Sequence, residues 1–375
     1  MGIAAIGLTF KAEPGIEDIY LDSILGQIAI PDMTRFARVG NFSDGPRPQS
    51  LAAHILGEIG TSYEYSTLPS EPLVNTPIAR NPYAYWDAGD HWEYVFTKSA
   101  PIPGASSHDF NFLAVYSDQA VQSSAICAMP ARKFDITSGV LTIRNTETNK
   151  TVIFPAVPVG DESMTYLTEP ILRGTDTGSN ATSGSGTNSS AGSCGPGCST
   201  VYVVEPRSRL PEDQPSSEST TPPTSSFLYY YECNITIEPS TSSNVGIFNL
   251  NPAVSAVAAQ SIALSGLRAP LPLNATSGFS TAQYTAYIFG LEYGQPQRQN
   301  TTAMARMLSR YAIGTIAAAA RTNPSLMVSG NEPKQGVRLV LDKPFAFGGV
   351  LVAAVAVQLV LLFAAVGLVK WLGGT

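Results

Sequence analysis

Through the middle of the chain apolar and polar positions alternate in short runs, and the period changes only toward the C-terminus. WEYVFT (Trp92–Thr97), FLAVYS (Phe112–Ser117), VLTIR (Val140–Arg144) and TVIF (Thr151–Phe154) are rich in branched and aromatic residues and are separated by Pro, Gly, Asn and Asp, which predicts strands. STVYVV (Ser199–Val204) and FLYYYECNITI (Phe227–Ile237) are two more, expected to pair as a long-looped hairpin. Beyond residue 250 the spacing becomes helical. Asn251 is a cap, Pro252 a first helical residue and Gly266 a stop for a helix over Ala253–Ser265. Met304, Met307, Leu308, Tyr311, Thr315 and Ile316 share one face of a second helix from Thr302 to Arg321, ended by Asn323-Pro324. The stretch before residue 60 reads as mixed helix and loop, with Ser50 capping and Gly60 stopping a helix over Leu51–Ile59. VRLVLD (Val337–Asp342) is a last strand or stalk, and no internal repeat is visible. Several short strands with a few helices predict an α+β, β-rich body, sandwich- or barrel-like.

From Phe345 to Val369 the pattern loses polarity altogether, Gln358 being the one strongly polar side chain. At 1.5 Å per residue this run exceeds a hydrocarbon core of about 30 Å, which predicts a transmembrane helix rather than a core helix with a polar stripe. Lys343 at one end and Lys370 with Trp371 at the other suit the interfaces. Gln358 is expected to bond within the helix or across to a membrane-embedded partner, while Gly349 and Ala353 make one small-xxx-small pair. A glycolipid anchor attached around Ser329-Gly330-Asn331 is the competing reading. The apolar run is long for it, and Lys370 interrupts its far end.

Composition adds the compartment. Only 14% of residues are charged against an ordinary share of about 25%, so something besides charge must keep the surface wet. The net charge of −7, with no basic run, excludes a nucleic-acid surface. Seven N-x-S/T sequons, at Asn41, Asn149, Asn180, Asn188, Asn234, Asn274 and Asn300, offer glycans as the wetting device. Cys127, Cys194, Cys198 and Cys233 form an even set, as an oxidising compartment allows; the hairpin would pair Cys198 with Cys233 and leave Cys194 for Cys127, one of three connectivities. Against this, MGIAAIGLTF has no basic n-region, and the lysines and arginine flanking the apolar run (Lys334, Arg338, Lys343) lie mostly before it, as in a tail-anchored protein facing the cytosol. A lumenal or extracellular body is the favoured expectation, with a signal sequence upstream. The organisation expected is an N-terminal, mixed then β-rich part (1–173), low-complexity Ser/Thr/Gly/Pro loops around a short strand (174–226), a strand-then-helix part (227–343), the span (345–369) and a short tail (370–375). The tracts 174–193 and 205–226 are too poor in apolar residues to fold, and are expected to be disordered or O-glycosylated.

Chemistry is sparse. There is no nucleophile elbow, P-loop, dinucleotide fingerprint or zinc-helix motif, and only three histidines, His54, His91 and His108. No cofactor is expected. The densest stretch is Tyr83–Phe96, where Tyr85, Trp86, Asp87, Asp90, His91 and Trp92 are the candidate ligand-binding residues. Aromatic faces stack on sugar C–H surfaces and carboxylates accept hydroxyl hydrogen bonds, so glycans or cell-wall polysaccharide are the fitting ligands. The structural alternative is a turn entering a core strand, with Trp92, Tyr94 and Phe96 on the packed face. Asp90, His91, His108 and Asp109 would meet if strands 92–97 and 112–117 pair, and Asp87, Asp90 and Glu93 are the carboxylates a carbohydrate-active enzyme would use. Cys194-Gly-Pro-Gly-Cys198 reads as structural rather than redox, and Met304 and Met307 as core filling.

The CGPGC segment followed by a short strand, YYYECNITI (Tyr229–Ile237), the helix ARMLSRYAIGTIAAA (Ala305–Ala319) and the C-terminal span together resemble a group of uncharacterised fungal membrane proteins with glycosylated ectodomains. The resemblance implies a secretory route and further spans upstream, and brings no activity. The expectation is a single-pass membrane glycoprotein that binds, senses or supports at the cell surface or in the secretory pathway.

Overall fold

The computed structural model describes residues 10–14, 20–37, 49–60, 65–67, 85–101, 112–137, 140–154, 163–168, 194–206, 228–240, 250–270, 281–335, 337–341 and 344–373. In chain order these form β1 (Phe10–Pro14), β2 (Tyr20–Pro31), α1 (Gln49–Gly60), β3 (Tyr65–Thr67), β4 (Tyr85–Asp87), β5 (Trp92–Pro101), β6 (Phe112–Ala128), β7 (Arg132–Thr137), β8 (Val140–Asn145), β9 (Thr151–Phe154) and β10 (Ser163–Thr168). They continue with β11 (Cys198–Pro206), β12 (Leu228–Pro239), α2 (Pro252–Ala259), β13 (Leu267–Pro270), β14 (Thr281–Ile288), α3 (Thr301–Thr322), β15 (Ser325–Gln335), β16 (Val337–Leu341) and α4 (Pro344–Leu372). The architecture is α+β and strand-rich. The chain divides into two compact units, one of residues 1–23 and 333–375, the other of residues 24–332.

In the first unit β1 pairs antiparallel with β16, Phe10 opposite Leu341. Its helix α4 is long and apolar enough from Leu351 to Leu372 to cross a membrane, and the side chains along that stretch are exposed. Exposure of a whole Leu/Val/Ala surface is unfavourable in water and fits hydrocarbon.

The second unit is built on one large sheet in the order β13-β14-β10-β11-β12-β6-β5-β2-β15, with β4 added to β5 and β3 to β4. The β11–β12 hairpin forms as expected, antiparallel with Cys198 opposite Thr236. Helices α1, α2 and α3 cover one face. Tyr94, Phe96, Tyr166, Val201, Val203, Tyr231, Ile235 and Ile237 of the strands meet Leu56, Val257, Met304, Leu308, Tyr311 and Ile316 of the helices in the main core. On the opposite face a small antiparallel sheet, β7-β8-β9, lays Leu141, Ile143, Val152 and Phe154 against Leu167, Tyr202, Val204 and Tyr230. There the sheets make a two-layer sandwich, the third layer being helical. This is why VYVV in β11 is continuously apolar: Val201 and Val203 face the helices, Tyr202 and Val204 the small sheet.

Several expectations need correction. Strand β6 runs 17 residues, its second half Ser, Gln and Ala-rich; strong local β propensity is absent there, and pairing with both β5 and β12 supplies the order. The stretch before residue 60, expected as helix and loop, holds strands β1 and β2 besides α1, and β3, β4, β7, β10, β13, β14 and β15 are strands that the alternation pattern does not mark. The helix after Asn251 is α-helical only to Ala259 and continues as a 3-10 turn over Ser261–Ala263 before Gly266. Asn251 does cap it, its side chain accepting from the Ala253 N–H at 2.9 Å. Ser50 lies inside α1 rather than capping it, and Gln49 clasps the backbone N–H and carbonyl of Phe36. Glu205 and Pro206 belong to β11, not to a low-complexity tract; 174–193 and 207–226 lie outside the described residues.

The disulfides also differ from the expected pairing. They are Cys127–Cys233 and Cys194–Cys198. The register decides this: Cys233 faces Cys127 directly across β12 and β6, whereas Cys198 lies opposite Thr236, three residues from Cys233.

Candidate functional site

The aromatic and acidic stretch 85–93 forms β4, a tight turn and the start of β5. Asp87 accepts the Gly89 N–H at 2.9 Å, and Ala88 N–H bonds the His91 carbonyl at 3.0 Å, closing the turn. Of its three aromatics, Tyr85 is 0% exposed, Trp86 4% and Trp92 3%. Trp92 packs edge-on to Tyr85, donates its indole N–H to the Arg306 carbonyl at 3.0 Å, and carries the Arg306 guanidinium over its ring at 5.0 Å. Arg306 also pairs with Asp87, and Arg310 bonds Tyr85 and pairs with Glu292. Trp86 points the other way, into a small cluster with Val95, Tyr116 and Ala120. The aromatic faces that would stack on a sugar ring are therefore packed against protein, and Trp92, Tyr94 and Phe96 alternate onto the helix-covered face. The stretch is a clasp between sheet and α3. Arg306 and Arg310, its partners, carried only the signal of i, i+4 spacing.

Asp90 and His91 are what the turn leaves to solvent. Asp90 is 88% exposed at its side chain, and its bond to the His91 ring holds its carboxyl below the usual range. Asp87, one of the three candidate carboxylates, is committed to Arg306. Strands β5 and β6 do pair, but His108 and Asp109 lie outside the described residues. Among the described residues no group of three or more His, Cys, Asp or Glu is arranged to hold a metal ion.

Two further polar clusters tie the helices to the sheet. In the first, His54 on α1 bonds the Ser261 carbonyl at 2.9 Å through Nδ1, which must therefore carry a proton; Tyr287 donates to Glu58, and Tyr311 to the His54 carbonyl at 3.0 Å. Burial is the main cause holding the His54 pKa below its usual value, against the opposing pull of the Ser261 carbonyl and Glu58. In the second, Glu205, 1% exposed, accepts from the Tyr231 hydroxyl at 2.9 Å and from the backbone N–H groups of Gln297 and Arg298 at 3.1 and 2.9 Å. It fixes the loop that feeds α3, in which Arg298 and Gln299 have φ of 50° and 70°.

Three sequon asparagines fall among the described residues, and all three are exposed. Asn149 sits in the β8–β9 turn at φ 57°, its side-chain oxygen accepting from Arg144 at 3.0 Å. Asn234 lies in β12, accepting from the Thr200 hydroxyl at 2.8 Å and paired in register with Ile126, which is 78% exposed. Asn300 caps α3, accepting from the Ala303 N–H at 3.0 Å. Each uses its side-chain oxygen as an acceptor, while Nδ2 is the atom that would carry a glycan. Asn41, Asn180, Asn188 and Asn274 lie outside the described residues. Comparison of the chain with protein-family models, curated proteins and solved structures finds no match in any of the three.

Proposed function

We propose that the protein is a single-pass membrane glycoprotein whose body lies on the lumenal or extracellular side and serves a binding, sensing or structural role there. The observation that carries the reading is the joining, in one chain, of an exposed apolar helix of membrane-crossing length to a body in which all four cysteines are paired. Disulfides persist where the compartment is oxidising. The exposed amides of Asn149, Asn234 and Asn300 support it, since glycans there would wet a surface poor in charge. The hydrocarbon bilayer is the partner of α4, with Gln358 offering an amide to a membrane-embedded protein. Glycan or polysaccharide ligands would meet Asp90 and His91 rather than the packed aromatics.

The test is digestion of the expressed full chain with an N-glycosidase, read as a mobility shift. A shift worth several glycans is expected. No shift, in cells that glycosylate a control protein, overturns the orientation and leaves a tail-anchored protein facing the cytosol.

A further inference from the structure

Asn234 differs from the other described sequons in being set within a central strand. Strand β12 is hydrogen-bonded to β11 on one edge and to β6 on the other, and Cys233, the residue before Asn234, is bonded to Cys127 across the β6 edge. A glycosyl transferase must engage the Asn amide and the Thr236 hydroxyl together and bend the chain around them. A strand held on both edges cannot bend without losing its ladder. Asn149, in a turn, has no such restraint.

We propose that glycan transfer to Asn234 competes with closure of the Cys127–Cys233 disulfide during folding, so that Asn234 is modified only on chains whose β12 is still unpaired. The inference rests on the lumenal reading above. In the transfer, Nδ2 bonds to C1 of a lipid-diphosphate-linked oligosaccharide, the C1–phosphate bond breaks, the lipid diphosphate leaves and one Nδ2 proton is lost. In the closure, the two thiols give up two protons and two electrons to the disulfide of a thiol oxidoreductase, which becomes a dithiol. The competition is real in time because Cys127 precedes Cys233 by 106 residues. A contact of that span forms slowly, and disulfide formation takes seconds or longer, so the sequon passes through a window in which it is extended and free. Pairing of β12 ends the window, and the disulfide then locks it shut.

The experiment expresses the full chain in glycosylating cells and reads occupancy of each sequon by mass spectrometry, after N-glycosidase treatment in ¹⁸O water has marked each glycan-bearing Asn. Partial occupancy at Asn234 with high occupancy at Asn149 is expected, and Cys127→Ser should bring Asn234 close to the level of Asn149. Thr236→Ser, a slower acceptor, should lower Asn234 occupancy strongly in the disulfide-forming chain and only weakly beside Cys127→Ser. The double variant Cys194→Ser/Cys198→Ser should leave Asn234 where it was. Equal Asn234 occupancy with and without Cys127, while Asn149 is occupied, overturns the proposal; so does an equal rise when the other disulfide is removed, which would mean general misfolding. If Asn149, Asn234 and Asn300 are all unmodified, the lumenal reading itself has failed.

Discussion

At Gly57 and Gly60 helix α1 lies so close to α3 that the missing Cβ is a packing requirement. A Cβ at Gly57 would come within 2.1 Å of the Tyr311 ring, and one at Gly60 within 2.5 Å of the Gly314 backbone. Tyr311 cannot swing aside, since its ring packs edge-on against Tyr293 at 4.7 Å. Alanine gains about 1 kcal/mol of helix propensity over glycine, but overpacking against backbone costs about 1–3 kcal/mol, so packing wins. Gly60→Ala should lower the unfolding midpoint of the full chain in detergent. The reverse holds at Gly314, where an added Cβ meets only ordinary contacts of 3.4 Å and longer, so Gly314→Ala should hold or raise the midpoint. His54 gives a pH signature. Because burial lowers its folded pKa below the ordinary 6.5, the unfolded chain binds the extra proton; stability is present above pH 6.5 and is lost as pH falls through the folded value. Thermal unfolding scans below pH 6.5 should show this loss, and His54→Asn, whose amide can still donate to the Ser261 carbonyl, should flatten it. None of this was legible beforehand: a glycine and a histidine in an apolar helix carry no mark of what will cross them.

Among the elements, α3 is the one on which most of the body depends, and its start is fixed twice. Asn300 caps it from within, while Glu205 holds the preceding loop by two backbone N–H groups and the Tyr231 hydroxyl. Asn300→Ala should cost about 1 kcal/mol, whereas Asn300→Asp keeps the capping oxygen and removes the sequon. A urea titration of the two variants therefore separates capping from glycan, and equal losses would assign the effect to the glycan. Glu205→Ala removes the acceptor of the Tyr231 hydroxyl and of two part-buried backbone N–H groups at once, which at about 1–3 kcal/mol for an orphaned buried group should exceed the loss of the cap. The boundaries of α3 are readable to within a residue because its period and its stop are local, Asn323 and Pro324 lying just past its end, although the cap by Asn300 carries no mark beyond its sequon. Glu205 was read into a polar tract for the same local reason. Its neighbours from 207 onward are Ser-, Pro- and Thr-rich, and only the pairing of β11 with β12 identifies it as the next-to-last residue of a buried strand.

For the whole molecule, the long-range tie is Cys127–Cys233. Closing a loop of this length removes unfolded-state entropy worth up to about 4.7 kcal/mol in the chain-entropy account, so Cys127→Ser should lower stability by about 2–5 kcal/mol and reducing agent should reproduce the loss. Cys194–Cys198 spans four residues and should matter far less. Deleting residues 344–375 should move the chain from the carbonate-resistant membrane fraction to the soluble one. Retention in the membrane fraction would mean that α4 is not what holds it there.

The sequence by itself determined the apolar C-terminal helix, the strands dense in branched and aromatic residues, the β11–β12 hairpin, the start of α2 and the ends of α3. Each of these is written in contiguous residues, as length, period or a capping side chain. Tertiary structure alone decided the disulfide partners, the polar half of β6, the burial of Trp86 on the other face, and the clasp of Arg306 on Asp87. Those depend on strand register and on which face a helix meets, and register is set by the packing of residues a hundred or more positions apart, which no local pattern encodes.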